Sequence, residues 1–495
     1  MVNLYKLVLV NAGFMTEPDE RRYLMTWSFL KHLSQGDIST ALHAVFSANG
    51  RPGSVLLHSI PAGLQLISAK LMGWEIFETQ NFMLVFIYNF IVNLFILFLL
   101  YRIYKRLFDN QTLALLGILL YSVLVNNFSY LRHIYPYNES LLLFLWLVYQ
   151  LLKKYDKQTQ ITLKTAYIWG ALAFFAYLIY PAYYLSFIAV YLLFNFILIN
   201  KYKSANQIIK INFSYILGSF TVLAFFEILS QIGRSSYINN VLYLSETVTQ
   251  GSFDEAFSFV FKYLWEVEKL TGLLLLLGML LFLGFLPRLI KQKNKGQKLI
   301  LGLIISFLVP YLLHAGLAFF FHKMIFYGRI LHQFIFIIIV FLLYVIAQLP
   351  YQQQKFTSLL LGLLVSVQFF SQIQAYQKIA YPRDVYWQYL KTYPKKNIKE
   401  ISEYDDAWSN LPSRLDSLYI KPQNNTVKVI NSFYFYPFND VQKFHPYKAD
   451  NKEKLLFDRP HFINYKAYQY EGYGINDRKL IDRLQPHIKI YQLQN

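Results

Sequence analysis

Thr16-Glu17-Pro18-Asp19-Glu20 sets two adjacent carboxylates just after the first short apolar stretch of the chain. One reading is local. Thr16 caps a helix, Asp19 three residues on completes a capping box, and acids suit a helix N-terminus. The other is chemical. A carboxylate at the edge of a low-dielectric cavity takes a proton from an attacking hydroxyl, with its pKa set by burial. The two are compatible, since a cap would hold the base rigidly.

A second group is Arg132-His133-Ile134-Tyr135-Pro136-Tyr137-Asn138-Glu139. Pro136 breaks one helix and Glu139 begins the next, where an acid favours the dipole. That account explains a turn but not its polarity. As a site, Arg132 contacts a phosphate, His133 and Tyr135 line it, and Glu139 orients sugar hydroxyls or the catalytic loop. His322, Lys323 and Arg329 form a later turn. They either snorkel to headgroups or clamp a lipid phosphate, whose departure needs fixed positive charge. Arg51, in Gly50-Arg51-Pro52-Gly53, is a candidate of the same kind. Glu227 lies inside an apolar run, which makes it a functional-site hypothesis or a partner for a neighbouring helix. Tyr180-Pro181 reads as a simple helix break.

The elements that must carry these residues are membrane spans. Of 495 residues, 55% are hydrophobic and only 15% charged, against about 25% charged in soluble domains. Apolar runs near the ~20 residues of a spanning helix fall at 3–15, 80–101, 112–131, 138–154, 165–180, 182–200, 211–233, 271–289, 299–320, 330–349 and 356–375. Backbone groups in lipid must be satisfied internally, so these are helices. The expected class is an all-α polytopic membrane protein of eleven spans. The first span is short, and no small-residue cleavage site marks it as a signal peptide. The segment 54–73 is apolar too, but counting it as a span breaks the alternation of charge.

That alternation sets the orientation. One set of loops carries Arg102, Lys105, Arg106, Lys153, Lys154, Lys157, Lys164, Lys201, Lys203, Lys210, Arg288, Lys291, Lys293, Lys295, Lys298 and Lys355. The opposite loops carry Arg132, Arg234, Lys262, Lys269, Lys323 and Arg329. The richer set is cytoplasmic, which puts the N-terminus inside and the C-terminus outside. A net charge of +19 therefore reflects topology, and no nucleic-acid partner is expected. With no cysteine, disulfides and thiol chemistry are excluded.

Three pieces project outward: loop 16–79, loop 234–270 and the tail. Within the first, 20–34 puts Tyr23, Leu24, Trp27 and Leu30 on one face, as in a helix lying in the membrane interface. The tail, 377–495, has mixed polarity, prolines and short alternating runs such as Val427-Lys428-Val429-Ile430. It reads as a small outward-facing α+β domain beside a transmembrane domain of 1–376. The Tyr and Phe richness fits coding in an AT-rich bacterium.

A short first span, Pro18-Asp19-Glu20, an interfacial helix, the Pro52-Gly53 turn and an apolar re-entrant stretch follow in a recognisable order. With the spans and the outer tail, the chain resembles the GT-C glycosyltransferases, in the branch of protein O-mannosyltransferases and aminoarabinose transferases. In that family an Asp-Glu pair opens the first outer loop, which Asp19-Glu20 match. Arg132 and Glu139 match a later Arg and acid, and Tyr327-Gly328-Arg329-Ile330-Leu331 is similar to a basic residue before a late span. Arg51-Pro52-Gly53 replaces the family's double proline, and Asn138-Glu139 stands where many members have Asp.

The resemblance implies a transferase using a polyprenyl-phosphate-linked sugar, with a glycan, lipid or protein acceptor, in the bacterial plasma membrane. Asp19 would deprotonate the acceptor hydroxyl, which attacks the anomeric carbon with inversion. Arg329 or Lys323 would stabilise the leaving phosphate. Such chemistry needs no metal, and no cofactor is expected. No sugar-nucleotide-binding pattern is present. Two other classes compete: a lipid-linked saccharide flippase or transporter, marked by paired halves or interrupted helices, and a non-catalytic scaffold that binds a partner through its tail.

Overall fold

The structure, a computed structural model, describes residues 2–6, 23–47, 51–73, 83–131, 133–157, 159–249, 255–291, 294–321, 326–381, 398–401, 427–431, 450–471 and 473–493. They form two compact units, one up to Gln368 and one from Phe369.

The first unit is helical. Its elements are α1 (Val2–Tyr5), α2 (Tyr23–Ser34), α3 (Ile38–Phe46), α4 (Pro52–Met72), α5 (Met83–Phe108) and α6 (Gln111–Val123). Next come α7 (Val125–Leu131), α8 (Tyr137–Lys157), α9 (Leu163–Ile179), α10 (Tyr184–Lys201), α11 (Ala205–Ile232) and α12 (Tyr237–Thr249). The series ends with α13 (Phe259–Glu266), α14 (Lys269–Lys291), α15 (Lys295–Phe321), α16 (Gly328–His332), α17 (Ile335–Ala347) and α18 (Tyr351–Lys378). The division between the units falls within α18.

A multi-pass membrane protein follows from the length and composition of these helices, but the expected eleven spans do not. Among the described residues, seven helices are long and apolar enough to cross, or eight if the bent pair α6–α7 is one span. The physical reasons differ by element. The 17 residues of α9 reach about 25 Å at 1.5 Å per residue, short of a ~30 Å core, and α17 is shorter still. Helix α8 carries Glu139 at one end and Lys153 and Lys154 at the other. Of the expected span 3–15, only residues 3–6 are described.

The segment 54–73, set aside as a span on the alternation of charge, is helical as far as Met72. It lies in α4, a helix of 21 residues whose length and composition suit a crossing. Its only formally charged residue is Lys70, near the end. Charge alternation weighs the loops on either side and is blind to this helix's own length.

Local chemistry explains where the helices begin. Asn110 accepts from the amides of Thr112 and Leu113 at the start of α6, and Thr162 accepts from Thr165 at the start of α9. Gly73, at φ +68°, closes α4 in the left-handed conformation. Helices α9 and α11 pack backbone to backbone. A Cβ on Gly170 would lie 1.8 Å from the Tyr215 carbonyl oxygen, and one on Gly218 would lie 2.0 Å from that of Tyr167. Only glycine permits this approach from both sides.

The most unusual element is the break between α6 and α7. The two helices bend by 57° at Leu124, which is extended. Every residue of α7 is buried, so its orphan amides need partners. Glu268 supplies both, accepting from Val125 N at 2.8 Å and Asn126 N at 3.0 Å. Gln368 donates to the Glu268 carbonyl and accepts from Thr271 N at 2.6 Å, which fixes the start of α14. Burial pushes the Glu268 carboxyl up to about 7, against the opposing pull of the two amide donors.

The second unit holds a four-stranded sheet in the order β1-β2-β4-β3, made of β1 (Ile398–Ile401), β2 (Val427–Asn431), β3 (Glu453–Pro460) and β4 (His487–Leu493). β1 and β2 are parallel, and β4 is antiparallel to both its neighbours. The helix Ile475–Leu484 accompanies the sheet. The alternating run at 427–430 is β2. The hydroxyls of Tyr376 and Tyr468 lie 2.8 Å apart, and Tyr381 donates to Tyr376 at 2.9 Å.

Candidate functional site

Asp19, Glu20, Arg132, His322 and Lys323 lie outside the described residues. Arg51, His133, Tyr135, Glu139, Glu227 and Arg329 are described. Four of these six, Arg51, His133, Tyr135 and Arg329, are joined through one cluster of aromatic rings; Glu139 shares a helical turn with Tyr137, and Glu227 stands apart.

The cluster is built where helices start and stop. Pro136 and the turn before α8 present Tyr135 and Tyr137, whose rings stack at 4.7 Å, and His133 stacks on Tyr135 at 5.0 Å. Asn89 holds the turn by donating to the His133 carbonyl at 3.1 Å. Tyr180, extended at the end of α9 before Pro181, packs on Tyr137 with centroids 4.6 Å apart. The two arginines meet this tyrosine pair at opposite members. Arg51, preceding Pro52 at the start of α4, lies 4.8 Å over the Tyr180 ring. Arg329 donates to the Tyr137 hydroxyl at 2.9 Å and lies 4.3 Å over Tyr327.

Arg329 sits on α16, whose five residues are too few to hold themselves in place. They are pinned from outside. Asn126, just past the helix break, donates to the Gly328 carbonyl at 3.1 Å. His332 takes hydrogen bonds with the hydroxyls of Tyr121 at 2.9 Å and Tyr183 at 2.7 Å. Gln333, the next residue, accepts from Ser186 N at 3.0 Å. The bent helix pair α6–α7 thus helps to set the position of a guanidinium.

Glu139 occupies the first turn of α8, the same turn as Tyr137. Its Oε1 lies 2.9 Å from His58 Nε2 of α4, and each side chain is about 3–4% exposed. Its Oε2 has no hydrogen-bond partner among the described residues. Tyr23 and Tyr88 flank the imidazole edge-on, at 5.6 and 6.3 Å. The arrangement combines fixed positive charge, a buried carboxylate with one open acceptor, and apolar ring faces. It can bind an anion, accept from a hydroxyl and pack against a ring or chain.

Glu227 behaves as a cap. It accepts from Gln231 at 2.6 Å, from Ser236 at 3.0 Å and from the Ile238 amide at 3.0 Å, closing the turn into α12. Among the described residues no three His, Asp or Glu side chains converge to hold a metal.

Sequence reasoning missed His58, His332, Asn126 and Lys6. Lys6 is fully buried and donates to Asn127, which in turn donates to Asn93 at 2.8 Å. A lone lysine in the first apolar stretch was the available signal for it. For His58 the signal was a histidine one turn after a serine in an otherwise apolar helix. Tyr180 was legible as a helix break but not as the ring beneath Arg51. Compared with known protein families, curated proteins and solved structures, the chain matches none.

Proposed function

We propose that the protein is a GT-C-like membrane glycosyltransferase, moving a sugar from a polyprenyl-phosphate donor to an acceptor hydroxyl with inversion. The observation that carries this reading is the tyrosine pair Tyr180–Tyr137 with Arg51 on one member, Arg329 on the other and Glu139 on the same helical turn. A guanidinium binds phosphate by parallel hydrogen bonds, and a carboxylate beside it accepts from sugar hydroxyls. In this reading Arg329 and Arg51 hold the donor phosphate and neutralise it as it leaves. Glu139 orients the sugar, and Asp19, beside Glu20, removes the acceptor proton. The acceptor is a glycan, lipid or protein. The site opens on the outer face of a bacterial plasma membrane, with the N-terminus cytoplasmic and the second unit outside.

The test is reconstitution in liposomes with a polyprenyl-phosphate-linked sugar. Net loss of the sugar from the lipid carrier supports transfer. Movement of intact donor between leaflets without loss supports the second reading, a flippase. That alternative gains weight from the 57° break at Leu124, since interrupted helices mark transport sites.

A further inference from the structure

Ser54, His58 and Glu139 form a single hydrogen-bonded file. Ser54 Oγ is 3.3 Å from His58 Nδ1, and His58 Nε2 is 2.9 Å from Glu139 Oε1. Ser54 and His58 are one turn apart on α4 and so share a face, while Glu139 comes from α8. A serine and a histidine at this spacing is an ordinary helix contact. What exceeds it is a buried carboxylate brought from another helix onto the far nitrogen. With Glu139 acting as an acceptor, Nε2–H donates to it and Nδ1 presents its lone pair to the hydroxyl. A nucleophile in reach of a base, with the base oriented by a third group, is the arrangement that activates serine. The rings of Tyr23 and Tyr88 limit the swing of the imidazole. Ser54 itself is half-buried and therefore reachable.

We propose that Ser54 is a nucleophile for acyl transfer, with His58 as its base and Glu139 as the orienting carboxylate, acting on the ester carbonyl of an anionic amphiphile. The amphiphile follows from the surroundings. Arg51 stands one turn before Ser54, a cation for an anionic head, and Leu57, one turn after Ser54, is half-buried and apolar, a contact for the chain. Ser54 Oγ attacks the ester carbon while its proton passes to His58 Nδ1. The ester C–O bond then breaks, and the departing alkoxide takes that proton as an alcohol. Water or a second hydroxyl, deprotonated by His58, attacks the acyl-serine, releases the acyl group and restores Ser54.

The test uses the full-length protein in detergent and a fluorophosphonate probe, which phosphonylates activated serines with loss of fluoride. The expected result is one adduct, mapped to Ser54 by peptide mass spectrometry. It is absent in Ser54→Ala and forms roughly 10²-fold more slowly in His58→Ala and Glu139→Gln. Ser54→Ala keeps its donor turnover, which separates this activity from glycosyl transfer. Because the chain has no cysteine, Ser54→Cys introduces its only thiol. Iodoacetamide at pH 6.5 should alkylate that thiol about tenfold faster than in Ser54→Cys/His58→Ala. The proposal is overturned if monodisperse protein takes no probe at Ser54, if Ser54→Ala is labelled at the wild-type rate, or if the two thiols react equally fast.

Discussion

Arg329 donates to the Tyr137 hydroxyl at 2.9 Å across 192 residues of sequence. The contact joins a five-residue helix to the first turn of α8, and it places a guanidinium beside the turn that carries Glu139. Neither residue is positioned by its own neighbours alone. Tyr137 is held by the stacked ring of Tyr135 and the tilted ring of Tyr180, and α16 by Asn126, His332 and Gln333.

If Arg329 holds the donor phosphate, Arg329→Lys loses the paired hydrogen bonds while keeping the charge. Affinity for a polyprenyl phosphate, read by titration calorimetry in detergent, should fall about tenfold to hundredfold, the equivalent of roughly 1.5–3 kcal/mol for charged hydrogen bonds. Arg329→Ala should fall further. A residue that only snorkels to headgroups would tolerate lysine without change.

Glu268 makes a prediction about pH. Its carboxyl titrates near 7 in the folded protein against an ordinary value of 4.5. Between these values the folded protein holds the extra proton. The contribution to stability is therefore complete below about 4.5 and is lost as pH rises through about 7. The melting temperature should decline from pH 5 to pH 8, and Glu268→Gln, which cannot titrate, should flatten that decline. An equal slope in both proteins would remove Glu268 as its source.

The orientation is tested by fusing a reporter that is active only in the cytoplasm after residue 380. The charge bias predicts no activity there and activity for the same reporter placed in the loop near Lys203. The opposite pattern would overturn the outward placement of the second unit.

Much of the helical framework was legible because apolar runs and the loop residues between them are local features. The turn before α8 was legible for the same reason, but α7 ends at Leu131 and Pro136 stands directly before α8, which Tyr137 opens. Other features depend on distant partners. The α6–α7 break has no proline or glycine at Leu124, and its stabilising carboxylate comes from Glu268, 143 residues after Val125. His58 looked like part of an apolar segment, and only the packing of α4 beside α8 brings it to Glu139. Glu227 was singled out as an acid in a span, yet its partners Ser236 and Ile238 lie just beyond a turn that periodicity does not register.

The central claim is glycosyl transfer with Asp19 as the base, and Asp19→Asn tests it most directly. Asparagine keeps the shape and is itself a good helix cap, but it cannot accept the proton. Single-turnover release of sugar from a polyprenyl-phosphate donor, followed in proteoliposomes containing the acceptor, should slow by roughly 10²–10⁴-fold, with melting temperature and donor affinity unchanged. Glu20→Gln should be milder. Turnover by Asp19→Asn at the wild-type rate would contradict the account and leave Asp19 as a cap alone.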